Sequence, residues 1–119
     1  HDTKPQYRDR FLVSKPDGWY RLKVNEIAFF YLENKNTVAV DFKGDHHPID
    51  QTLNQVMESL DPASFFRTNR QTIVNIDAIQ KVETWFNGRL LVKTKPYHIE
   101  KITVPREKAI IFRELWLNG

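Results

Sequence analysis

Apolar and polar residues alternate along much of this chain with a period of two, the pattern of strands whose side chains point to opposite faces. Between Thr37 and Phe42 the alternation is strict: Val38, Val40 and Phe42 face one way, and Thr37, Ala39 and Asp41 the other, which predicts a half-buried strand. Residues 10–14 and 19–24 predict two shorter strands joined at Pro16-Asp17-Gly18, where Pro presets φ and Gly is free to make it positive. Residues 27–32 are apolar on both faces, which predicts a central strand covered on both sides. Asn34-Lys35-Asn36 forms a polar loop after it, and Lys43-Gly44-Asp45 turns the chain into a short strand ending at Ile49.

The period changes in mid-chain. Leu53, Val56, Met57 and Leu60 fall on one helical face behind Asp50, which is read as the N-cap, and Asp61-Pro62 stops the helix. Residues 65–69 and 71–75 are extended around a polar centre at Asn69-Arg70. Residues 80–86 and 89–94 flank Asn87-Gly88, a strong two-residue hairpin signal, and a last strand is expected over 98–104. Pro105 then suits the first turn of a closing helix striped by Ala109, Phe112, Leu115 and Trp116. The pattern predicts a mostly β protein with one mid-chain helix and one C-terminal helix.

Composition agrees and narrows the class. The 119 residues make one domain, and their 40% hydrophobic and 28% charged content lies in the globular range. Residues 1–9 are read as a linker remnant and 10–119 as the domain. The start at His1 suggests a piece of a longer protein. The absence of cysteine removes thiolate chemistry and favours a reducing compartment, so a cytoplasmic location is expected, and no apolar run approaches a membrane span.

Charge adds a partner. Residues 67–106 hold eight Lys and Arg against three acidic residues, whereas residues 1–66 are slightly acidic. A concentrated basic region fits a polyanion such as nucleic acid, or else a solvated surface. Catalysis and cofactors find little support. Asp45-His46-His47 with Asp50 is the nearest approach to a metal cluster, but neighbouring strand residues point apart. His98 and Glu100 share a strand face without a third ligand. There is no nucleophilic triad and no glycine-rich loop before a helix. No catalytic residue, metal site or cofactor is expected.

The segment 65–75, Phe-Phe-Arg-Thr-Asn-Arg-Gln-Thr-Ile-Val-Asn, can anchor both apolar ends while its polar middle projects. Arg can bond two acceptors of guanine, and Asn can bond adenine through a paired donor and acceptor. Structural roles compete with this reading: Arg67 paired with a carboxylate, Asn75 capping a turn, and Asn69 bonding its own backbone two residues on.

This segment, with Trp85-Phe86-Asn87-Gly88-Arg89, Ile102-Thr103-Val104-Pro105-Arg106, Ile27-Ala28-Phe29-Phe30, Glu33-Asn34-Lys35 and Leu60-Asp61-Pro62, resembles the LytTR family of bacterial DNA-binding domains. The resemblance implies layered antiparallel sheets and the output half of a two-component response regulator, behind a receiver domain. It also implies DNA contacts from loops: Asn34, Lys35, Asn36 and Thr37 in the first, Asn69 and Arg70 in the second, and Arg106 in the third. Pro105 stands where many relatives have Ser or Thr, and Thr37 where a longer side chain can sit.

Sequence-specific binding of double-stranded DNA for transcription regulation is therefore expected, with loops reading successive major grooves. Lys35, Lys93, Lys95 and Lys101 would supply phosphate attraction, and a homodimer on repeated sites would raise affinity. The alternative is a protein-interaction β module that docks a peptide or the receiver domain. RNA binding through Trp19, Trp85 or Phe86 is a third reading, though those rings also fit the core.

Overall fold

The computed structural model describes residues 6–118. Three antiparallel sheets are stacked in layers. A hairpin of β1 (Arg10–Lys15) and β2 (Gly18–Lys23) covers one side of a five-stranded central sheet. That sheet is built from β3 (Ile27–Glu33), β4 (Asn36–Asp41), β5 (His46–Ile49), β6 (Phe65–Asn69) and β7 (Thr72–Asn75), in the order β5-β4-β3-β7-β6. The third sheet has the order β10-β9-β8 and uses β8 (Ile79–Thr84), β9 (Leu90–Thr94) and β10 (Ile102–Val104). Helix α1 (Leu53–Ser59) packs with the first layer and α2 (Arg106–Asn118) with the third.

The central position of β3 follows from its sequence. Phe30 faces a core shared with Phe11, Val13, Leu22 and α1, while Phe29 faces one shared with Val92, Val104 and Phe112 of the third layer. They are 0% and 1% exposed, so truncating either to Ala should cost about 3–5 kcal/mol.

Four local expectations are corrected. Strand β4 is covered on both faces, with Ala39 in one core and Val40 in the other, so it is not half-buried. Its polar Asp41 tolerates burial because the carboxylate accepts N–H bonds from Lys43 and Asp45 at 2.9 Å each and lies 2.9 Å from His47 Nε2. Burial alone would raise the Asp41 pKa, but the bonds to His47 and the two backbone amides outweigh it and hold the carboxyl below its usual range.

Helix α1 is capped by Thr52 and not by Asp50. The Thr52 hydroxyl accepts from Gln55 N–H at 3.1 Å, and Gln55 Oε1 accepts from Thr52 N–H at 3.0 Å, a reciprocal capping box. The Asn87-Gly88 turn is present with φ of 60° and 74°, but Thr84 pairs with Leu90, so Trp85 and Phe86 together face Arg89 and the loop gains a bulge. The last strand is shorter than the sequence suggests. Residues 98–101 leave the sheet because the His98 ring packs on Phe29 and Tyr31, at 5.0 and 4.6 Å between centroids.

Of the expected linker, residues 1–5 lie outside the described residues. Residues 6–9 belong to no strand and are tied down where Arg8 N–H donates to Ser59 O and Asp9 O accepts from Val24 N–H.

Candidate nucleic-acid interface

Sheet topology gathers two of the three expected loops at one end. The β3–β4 turn joins Glu33 to Asn36, and the β6–β7 turn joins Asn69 to Thr72, with Leu32 N–H donating to Gln71 O at 3.1 Å between them. In the order β4-β3-β7-β6 these turns stand two strand spacings apart, about 10 Å.

The first turn is made by backbone. Asn34 and Lys35 both have positive φ, 51° and 69°, the geometry of a type I′ turn between paired strands. Asn tolerates this region, whereas Lys is held there at a cost of about 1 kcal/mol. The side chains of Asn34, Lys35 and Asn36 are exposed. Thr37 departs from expectation: it is 3% exposed, paired between Leu32 and Ile49, and has no surface to offer a ligand.

The second turn is made by side chains. A bulge between Arg67 and Asn69 turns Thr68 inward, where its hydroxyl meets that of Thr72. Among the described residues Arg67 pairs with no carboxylate. Its guanidinium donates to Asn69 O, Arg70 O and Asn54 Oδ1, each at 2.7 Å. Asn69 Oδ1 accepts from Gln71 N–H at 2.7 Å, and Nδ2 donates to Thr103 O at 2.8 Å. The amide edge that would pair with adenine is thereby engaged inside the protein, so Asn69 shapes the turn and Arg70 is left to project from it. Asn75 is likewise structural, bonding Ile27 O and capping the turn through Asp77 N–H.

The third candidate is carried to the same region through that Asn69–Thr103 bond, since β10 leads into α2 at Arg106. Lys108 adds a tie by donating to Arg67 O at 3.2 Å. The aliphatic stem of Arg106 crosses Gly88, where a Cβ would lie 3.0 Å from Arg106 Cγ. Among the described residues neither Arg70 nor Arg106 forms an ion pair, and both are exposed.

The lysines separate. Lys101 Nζ sits 5.4 Å from the Trp85 ring, beside the turn that supports Arg106. Lys93 is exposed opposite Lys81 in mid-sheet. Lys95 donates its N–H to Ala78 O, beyond the far end of β7, and so stands apart from the turns. His46 and His47 point to opposite faces, His46 toward Tyr31 and His47 toward Tyr20 and Asp41. Among the described residues no cluster suited to a metal ion occurs. Burial pushes the His98 pKa down, outweighing the opposite pull of Glu100. Trp19 and Phe86 are 72% and 56% exposed and are not core residues.

Two features escaped the sequence reading: the threefold Arg67 brace and the seating of Arg106 on Gly88. The positive-φ glycine beside Asn87 was the available sign of the second.

Comparison with known proteins agrees with this fold. The model of the LytTr DNA-binding domain matches residues 17–117. The chain is 27% identical over 111 residues to an uncharacterized response regulatory protein of Vibrio cholerae, covering 91% of this chain and 41% of that protein. It is 28% identical over 115 residues to the transcriptional regulatory protein YpdB of Escherichia coli K12, covering 97% of this chain and 43% of that one. The chain thus spans less than half the length of these curated relatives. A solved LytTr DNA-binding domain from Bacillus cereus superposes with a TM-score of 0.76 at 20% identity, covering 91% of this chain and 96% of that one, which shows the shared fold.

Proposed function

The chain belongs to the LytTr DNA-binding domain family, and from that premise we propose that it binds double-stranded DNA sequence-specifically, as the output domain of a transcriptional response regulator. The observation that carries the reading is a pair of exposed arginines, Arg70 and Arg106, without carboxylate partners among the described residues and held near one end of the central sheet with Lys35. Each guanidinium can reach a guanine edge in a major groove, and Lys35 and Lys101 can meet phosphates, which position the protein without reading sequence. The two arginines are mounted on separate elements, so they address separate base pairs.

A receiver domain elsewhere in the full-length protein would regulate this activity, and two copies on repeated sites would bind more tightly than one through effective concentration. The working location is the cytoplasm. No chemical step is assigned to the domain.

Selection of bound sites from a random duplex library, followed by titration across salt, tests the reading. One enriched motif is expected, with affinity falling steeply as salt rises. Failure to enrich any motif, or affinity independent of salt, would contradict it.

A further inference from the structure

A second basic surface lies on the outward face of the β1–β2 hairpin. Phe11, Val13 and Leu22 point into the core, which leaves Arg10, Leu12, Trp19, Arg21 and Lys23 on the other side. The register places Arg10 directly opposite Lys23, and Leu12 opposite Arg21. Like charges facing each other across strands weaken a hairpin, and a second pair of strands gains nothing from keeping them there. Among the described residues, Arg10 alone of these cations forms an ion pair, with Asp9 at 3.1 Å, while Glu26 accepts from the Lys23 backbone N–H at 3.3 Å. Together with Arg8, the cations line an open groove of about 540 Å³ whose lining carboxylates are Asp9 and Glu26.

Charge is only half of the face. Leu12 is 63% exposed and Trp19 72%, interleaved with Arg21. Exposed apolar side chains among cations match a partner that offers both carboxylates and apolar groups, whereas a phosphate backbone offers Leu nothing. Position points the same way. Lys23 leads through residues 24–26 into the start of β3, while the Asn34–Lys35 turn lies at its end, seven residues and about 20 Å away. A duplex held at the turns leaves this face open.

We propose that the outward face of β1–β2 docks an acidic, partly apolar segment of a partner protein, separately from DNA. The test is an amide-resolved NMR titration with a synthetic peptide of alternating Glu and Leu, a Lys-Leu peptide as control, and in parallel the selected duplex. The acidic peptide is expected to shift amides of β1 and β2, the control to shift none there, and the duplex to shift the turns. Arg21→Glu combined with Lys23→Glu should lower peptide affinity about tenfold or more while duplex affinity stays within about twofold. The milder pair Arg21→Ala and Lys23→Ala should act in the same direction if the charge reversal disturbs folding. Absence of peptide binding at about 1 mM, peptide shifts confined to the turns, or duplex shifts centred on β1–β2 would each overturn the proposal, the last by making this face a phosphate surface.

Discussion

The β3–β4 and β6–β7 turns leave the same end of the central sheet, about 10 Å apart, yet they are held by different means. In the first, positive φ at Asn34 and Lys35 closes the turn through backbone geometry, and no side chain of the turn is needed to hold it. In the second, Arg67 and Asn69 tie the backbone down, Asn54 accepts from the Arg67 guanidinium, and Asn69 reaches across to Thr103 in another sheet. The contrast teaches which polar residues are available to a ligand. Asn34 and Lys35 are available because the backbone does the folding, whereas Asn69 is engaged by the fold and Arg70 alone remains.

Among changes at the two turns, removing the brace should have the largest effect. Arg67→Ala deletes three hydrogen bonds from a charged donor and is expected to lower stability by about 2–3 kcal/mol in urea unfolding, with DNA affinity falling as the Arg70 turn loosens. Unchanged stability would mean that the second turn holds itself as the first does.

The same substitution at the two turns sharpens the comparison. Asn69→Asp sets a carboxylate against Thr103 O in place of the donated bond, and should cost about 1–3 kcal/mol. Asn34→Asp should change stability by less than about 0.5 kcal/mol, because Asp also tolerates positive φ, and should weaken DNA binding by its charge alone. Equal losses of stability would erase the distinction between the turns.

Gly88→Ala probes the support of Arg106. The residue has φ of 74° and its added Cβ would press on the Arg106 stem, so thermal unfolding should show a loss of about 1–2 kcal/mol. Affinity for the selected duplex should drop with it. Normal affinity would separate Arg106 from its seat.

The smallest effect has the opposite sign for stability. Lys35→Gly relieves the left-handed backbone of a side chain, and is expected to stabilise the domain by about 0.5–1 kcal/mol. The same change should make the slope of log K against log salt shallower by about 0.9. A gain in stability without any change in slope would leave Lys35 in the turn and take it off the phosphate.

Local pattern made much of this architecture legible. The unbroken apolar run of β3 announced a strand buried on both faces, and turns between apolar runs announced the hairpins. Strand β4 was misread because Thr37 and Asp41 look solvent-facing, and only the bonds from Lys43, Asp45 and His47 make Asp41 tolerable inside. Thr52 with Gln55 three residues on carries the capping-box signal, and it outcompetes Asp50 because both of its bonds are made. Asn69 was less accessible. Its acceptor end follows from a local turn, but its donor end meets a carbonyl 34 residues away, and such a contact has no period or spacing to betray it. Arg67 shows the same limit, since nothing local distinguishes an arginine that braces a turn from one that reads a base.

The central claim is that Arg70 and Arg106 read bases while the Asn69 amide does not. It is tested most directly by repeating the duplex-library selection with Arg70→Ala and Arg106→Ala beside the parent, each checked for an intact fold. Each variant should lose preference at its own position of the site, with affinity for the parent motif reduced by about 1–3 kcal/mol. Two folded variants that enrich the parent motif unchanged and bind it as tightly would contradict the account.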